Sequence, residues 1–357
     1  MARRVFLHIG TPKSGTTYLQ ERVALNRDLI ARQGLTYPTT RTGDHFEAAL
    51  DLIEEPWAGQ REVARGQWAA LVAEARRTSG DVLISHEILA AASPAQIARV
   101  MNDFAQDQVH VVLTVRDLAR QIPAEWQEMV KHRGRRTFHN FMKDVAQGAR
   151  TRPTLWFWRV QSLPDILTRW SNGLPPEQVH VVVVPTPGTP SDVLWRRFAE
   201  AVRLDPDAAY QEGTVSNASL GVAEAAVVRK LNRLLEGRGV SREVYIDLVR
   251  ELIARDTLGS REGAIQVYVP QARWPFIDRV TAEWIDWLEG SGVDVIGDLD
   301  DLRPEPPGPD HLWVHPDRPP SEDVAEAAVE ALAAVVAQAS PTDPSRVRRL
   351  ARRLLGG

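Results

Sequence analysis

Two periods of hydrophobic patterning alternate along the first 205 residues. Short, nearly continuous apolar runs occur at 4–9 (RVFLHI), 34–38 (GLTYP), 81–85 (DVLIS), 109–115 (VHVVLTV) and 179–184 (VHVVVV). Between them lie segments with apolar residues at helical spacing, at 16–30, 45–53, 60–77, 94–104, 165–170 and 196–204. Runs with so few polar positions suit strands buried on both faces of a parallel sheet. Their alternation with helices predicts an α/β fold with a central parallel sheet of about five strands. From 217 onward the period is helical, at 220–236, 242–255 and 275–289, with one small strand possible within 293–302. The reading is one α/β domain over 1–300, with a core at 1–205 and a helical part at 206–300. Residues 301–357 follow as a proline-rich linker or surface wrap and a helical tail. That tail comprises an alanine-rich helix at 322–339 and a basic one at 346–355, which would pack Val347, Leu350 and Leu354 inward or touch an acidic partner or membrane surface.

Composition narrows the class. The chain has 357 residues, 43% hydrophobic and 25% charged, as expected of a globular protein with a substantial core. A net charge of −4 gives no global field toward nucleic acid or a membrane surface, so any anion site has to be local. The absence of cysteine removes disulfides, thiol nucleophiles and cysteine metal sites. No apolar run approaches the length of a membrane span, and the first strand begins too close to Met1 for a signal peptide, so a cytoplasmic location is expected. Nothing in the sequence fixes an oligomeric state.

Candidate chemistry concentrates between the first strand and the first helix. Residues 10–17, GTPKSGTT, fit the phosphate-loop pattern G-x-x-x-x-G-K-[ST] at every defined position but one. Thr16 stands where the lysine belongs, and Lys13 lies three places earlier, inside the loop. A strand entering a helix through such a loop leaves N–H groups pointing into one concavity where an anion can sit. The displaced lysine argues against an ordinary ATP or GTP hydrolase, whose lysine reaches the β- and γ-phosphates from the helix start.

The segment PKSGTT, Pro12–Thr17, resembles the 5′-phosphosulfate loop of sulfotransferases that use 3′-phosphoadenosine 5′-phosphosulfate (PAPS). The resemblance extends over residues 1–220 and implies a P-loop-type three-layer fold. It also implies binding of PAPS, with PAP as product and no metal, through Thr11, Pro12, Lys13, Ser14, Gly15, Thr16 and Thr17. Tyr18 falls where cytosolic members stack adenine, and a core aromatic is the other reading. The family grips the 3′-phosphate with an arginine at the end of a buried strand and a serine eight residues later. VVLTVR supplies Arg116, but Ala124 stands in place of the serine, with Arg120 or another loop's hydroxyl as possible substitutes. Asn217 and Ser219, in SNASL, resemble a motif near the nucleotide and equally make a helix N-cap.

The implied reaction is sulfuryl transfer to a hydroxyl or amine of a small-molecule or carbohydrate acceptor, with Lys13 at the departing phosphate. His86 stands where the family places its base, and imidazole titrates near 6.5. Glu87 and His45 are the other candidates, and strand alternation would turn only one of His86 and Glu87 inward. Among the eleven tryptophans, Trp126, Trp156 and Trp158 could line an aromatic or carbohydrate site, and the basic segment 131–136 (KHRGRR) could face an anionic acceptor. Two other functions stay open, a nucleotide-dependent kinase of P-loop type and an inactive sulfotransferase-fold binding protein.

Overall fold

The computed structural model describes residues 3–39, 45–55, 61–151, 156–213, 219–306, 308 and 312–339. Among them, six strands make one sheet: β1 (Arg4–His8), β2 (Leu35–Thr36), β3 (Asp81–Ser85), β4 (Gln108–Val115), β5 (Val179–Val183) and β6 (Asp294–Ile296). They lie in the order β2-β3-β1-β4-β5-β6, with every neighbouring pair parallel. The fold is α/β, as the alternating pattern predicts. The short strand expected within 293–302 forms and pairs with β5 at the sheet edge.

Burial explains why the apolar runs are continuous. Every residue of β5, and all of β4 except Gln108, is buried. On one face Phe6, Val112 and Val182 pack with Leu19 and Val23 of α1 (Thr16–Leu25) and with Trp195 and Phe198 of the helix Val193–Ala201. This topology also fixes where a ligand belongs. The chain runs from β1 out to β2, returns through β3 and then crosses to β4 on the other side of β1. The reversal makes the carboxyl end of β1 a topological switch point, the place where open α/β sheets take ligands.

Two compact units divide the chain. The first comprises 1–121, 147–215 and 275–305 and holds the sheet; the second comprises 122–146, 216–274 and 306–357. The described secondary structure of the second unit is helical. Pro123 lies inside the helix Leu118–Lys131. Segment 131–136 serves internal contacts. Arg133 donates to the carbonyls of Val240 and Ser241 and lies over the Tyr245 ring, while Arg135 pairs with Glu236 and Arg136 with Asp144. Asp317, in the proline-rich segment, accepts the N–H groups of Phe138 and His139 at 2.9 and 2.8 Å and pairs with the buried Arg229. The basic helix expected at 346–355 lies outside the described residues. No helix among the described residues is long and apolar enough to cross a membrane.

Candidate functional site

β1 delivers the chain to the loop 9–15, and neighbouring strands fasten it from below. Ile9 and Thr11 donate their N–H groups to the carbonyls of Val112 and Thr114 on β4, at 2.9 and 2.6 Å. Gly10 then turns with φ +93°, and a Cβ there would lie 2.6 Å from Cβ of Glu87 and 2.7 Å from its Cα. Only glycine allows the loop to approach the end of β3 so closely. Gly15, with φ +83°, is the N-cap of α1, and a Cβ on it would meet Leu194 at 2.5 Å. No side chain caps this helix, no acidic residue sits in its first turn, and the first intrahelical bond of the ladder is Leu19 N–H to Gly15 C=O at 3.1 Å. The N–H groups of Thr16, Thr17 and Tyr18 are therefore outside the ladder, as an anion cradle requires.

Lys13 adopts φ +63°, a left-handed conformation uncommon outside glycine, asparagine and aspartate. Its carbonyl accepts a 3.1 Å bond from Nη1 of Arg116, the residue that follows β4. The loop lysine and the strand-end arginine are thus joined directly. Burial, and then the neighbouring Arg120, lower the Arg116 pKa to about 10 against the pull of Asp117. At neutral pH it is a cation poor in solvent. Arg120 pairs with Asp117 and donates to Pro185 C=O, so its guanidinium already has partners in place of the hydroxyl missing at Ala124.

The loop hydroxyls divide by direction. Thr11, Ser14 and Thr16 are buried and Thr17 is exposed. Ser14 Oγ donates to Thr11 C=O at 2.5 Å and lies 2.6 Å from Thr114 Oγ1. Since a carbonyl only accepts, this bond sets the order of the whole chain of contacts. Thr114 donates to Ser14, His8 Nε2–H donates to Thr114 Oγ1 at 3.3 Å, and Ser85 donates to His8 Nδ1 at 2.7 Å. His8 is fully buried, and burial chiefly lowers its pKa to about 4, so it is the neutral imidazole this order requires. Sequence reasoning missed this crosslink of β1, β3 and β4. Its trace was a polar residue near the carboxyl end of each of three apolar strands. The Ser14 hydroxyl is thus engaged within the protein.

At the end of β3, His86 and Glu87 are neighbours with unequal freedom. His86 Nδ1 accepts the Ile88 N–H at 3.3 Å, which assigns its proton to Nε2 and makes the ring a donor toward its other side. Glu87 Oε2 accepts from Gln20 at 3.0 Å and lies 3.9 Å from His86 Nδ1. Burial raises the Glu87 pKa, but His86, its own backbone N–H, Gln20 and Lys13 outweigh that effect and hold it below 4.5. Glu87 is therefore an ionised carboxylate beside the loop lysine.

His45 takes a different place. It is buried, with Nε2 bonded to Pro38 C=O at 2.8 Å and Nδ1 accepting Ser85 N–H at 3.0 Å. Burial lowers its pKa to about 4, and with both nitrogens engaged it is a structural crosslink rather than a base. Tyr18 is half-buried against the core, its hydroxyl 2.6 Å from Arg22, whose guanidinium also lies over Trp195 at 4.8 Å. Trp126 is fully buried with Nε1 on Arg136 C=O, and Trp158 packs edge-on against Phe157, Phe276 and Trp284, so both are core residues. Trp156, partly exposed, lies under Arg159. Ser219 is exposed in the second unit, and Asn217 lies outside the described residues. Among the described residues no group of three or more His, Asp or Glu side chains gathers as a metal site.

No protein-family model and no curated protein matches the chain. Among solved structures, a sulfotransferase from Alicyclobacillus acidocaldarius is similar over 61% of this chain and 87% of its own, with 16% identity and a TM-score of 0.41. A similarity of that size assigns no function.

Proposed function

We propose that the protein transfers a sulfuryl group from PAPS to a hydroxyl or amine of a small-molecule or carbohydrate acceptor. The observation that carries this reading is the Arg116–Lys13 contact. It places a loop lysine, an uncapped helix start and a solvent-poor guanidinium together at the sheet's switch point. Two anionic groups of one ligand suit that arrangement, one at the helix start and one at the guanidinium fork. The loop meets the requirement for close approach, since both of its glycines sit where a Cβ would collide.

When bound, PAPS would supply the sulfuryl group and leave as PAP. The N–H groups at the start of α1 and the Thr17 hydroxyl would hold the 5′-phosphate, and Arg116 the 3′-phosphate. Lys13 would stabilise charge on the departing oxygen, the kind of electrostatic contribution that dominates loose in-line transfers. The acceptor must lose a proton as its oxygen or nitrogen bonds to sulfur. Glu87 is the better base, because its carboxylate is ionised while the His86 lone pair on Nδ1 is engaged. In this reading His86 serves as a donor through Nε2–H. A cytoplasmic location belongs to the same proposal.

Calorimetry with PAP and with ATP, each with and without magnesium, tests the reading. Metal-independent PAP binding stronger than that of ATP is expected, whereas preference for ATP with magnesium would transfer the site to a kinase. Binding of PAP without turnover on any acceptor would leave an inactive binding protein. Lys13→Ala should lower turnover at least about 100-fold, the loss typical of removing one electrostatic stabiliser.

A further inference from the structure

The left-handed backbone at Lys13 has visible causes on both sides. On its amino side the Pro12 carbonyl accepts from two amides, Gln161 Nε2 at 3.0 Å and Gln121 Nε2. Gln121 Nε2 also lies 3.3 Å from Thr11 Oγ1 and 2.9 Å from Gln161 Oε1, which ties the two amides to each other. On its carboxyl side the Lys13 carbonyl accepts from Arg116. The two peptide planes that define φ and ψ of Lys13 are thus each gripped through their oxygen. Both glutamines are buried, at 1% and 2% exposure, and Gln121 Oε1 has no hydrogen-bond partner among the described residues. An orphaned amide oxygen in the interior is costly. It persists here because the opposite end of the amide is committed to the loop. A left-handed lysine costs about 1 kcal/mol or more and lasts only where surroundings overdetermine it.

We infer that Gln121 and Gln161 are positioning residues, a buried amide clamp that with Arg116 holds Lys13 in its left-handed conformation and so aims its ammonium. The role toward a bound anion rests on the sulfuryl-transfer reading, but the clamp itself does not. A cation on a flexible stem stabilises charge only from the right place, and a backbone rotation at Lys13 would redirect the whole side chain. Arg116 then acts at both ends, holding the loop carbonyl through Nη1 and, in the sulfuryl-transfer reading, offering its other nitrogens to a phosphate.

Two arms test this. The first needs no ligand. In the wild type, Lys13→Gly relieves the left-handed penalty, which offsets glycine's greater freedom in the unfolded chain, so Tm is held or slightly raised. With the clamp broken by Gln161→Met the loop is relaxed, only glycine's entropy remains, and the same Lys13→Gly change lowers Tm by about 2 °C. Gln121→Met serves as the second breaker should Gln161→Met fold poorly. Equal Tm changes in clamped and unclamped backgrounds would overturn the clamp. The second arm is the Kd for PAP by calorimetry. Gln161→Met should weaken PAP about 5-fold when Lys13 is present and less than 2-fold in Lys13→Ala, because the glutamine acts through the lysine. The same loss in both backgrounds would overturn the positioning role. Wild-type protein that binds no PAP would refute the sulfuryl-transfer reading and leave the first arm to decide the clamp.

Discussion

Glu87 and His86 are adjacent, yet the end of β3 gives them opposite chemistry. His86 is extended and spends its Nδ1 lone pair on the Ile88 N–H, whereas Glu87 turns its carboxylate to Gln20 within the field of Lys13. Glu87→Gln is therefore expected to lower kcat by about 100-fold or more, and His86→Asn by less than about 10-fold, in a sulfuryl-transfer assay. The pH profile discriminates further. A base must be deprotonated to work, and the Glu87 pKa is lowered below 4.5, so kcat/KM should show no titration near 6.5 at a temperature where the protein stays folded. A limb near 6.5 would return the role to histidine. Single letters carried part of this site. In the candidate loop Gly10 and Gly15 were legible because a tight strand-to-helix turn tolerates few residue types, and the place of Arg116 because it ends an unmistakable buried strand. The roles of His45, Ser14, Gln121 and Gln161 were not legible. Each depends on which long-range partner meets a side chain, as with Gln161 reaching Pro12 across 149 positions.

Asp317 shows the same limit at the level of elements. Its surroundings in sequence, a proline-rich run, announced a stiff wrap but not what the wrap does. In the structure its carboxylate caps the amino end of the helix Phe138–Thr151 through two backbone N–H groups and neutralises Arg229, itself only 7% exposed. Burial works to raise the Asp317 pKa, but the His139 N–H, Arg229 and the Phe138 N–H lower it overall. Asp317→Ala removes a helix cap, commonly worth about 1 kcal/mol, and leaves a buried guanidinium without its counter-ion, a loss of about 3–5 kcal/mol. Chemical denaturation followed by helical circular dichroism should show a loss near the upper part of that range. Asp317→Asn, which keeps the oxygen acceptor and loses the charge, should recover only the cap. Strands were easier to read than caps. The continuous apolar runs of β4 and β5 leave no alternative to burial on both faces, and β6 was weaker because only three residues pair at an edge.

Across the whole chain, the division into units was hidden because each unit is assembled from three separate stretches, and no local composition marks where one returns to the other. The consequence testable at this scale is acid stability. In the first unit, burial chiefly lowers the pKa of three histidines, His8, His45 and His110, to about 4. His110 lies at the inner end of a relay across β4, β5 and β6, with Nδ1 2.9 Å from His180 Nε2 and His180 Nδ1 2.6 Å from Asp294. Its own Nε2 is buried without a partner among the described residues. Above about pH 6.5 these rings are neutral in both folded and unfolded chains, and their contribution to stability is fully present. As pH falls below 6.5 the unfolded chain takes up protons that the folded one refuses until about pH 4, so stability is lost across that window. Three shifts of this size allow uptake of up to about three protons on unfolding near pH 5, a slope of roughly 4 kcal/mol per pH unit at most. Typical domains have about 5–15 kcal/mol in total, so the sheet-containing unit should unfold on acidification well before its carboxylates titrate. Scanning calorimetry at pH 7, 6 and 5, in buffers of different ionisation enthalpy, should show its Tm falling steeply and proton uptake rising toward three. A Tm unchanged between pH 7 and 5 would mean that these histidines are not held neutral in the folded protein.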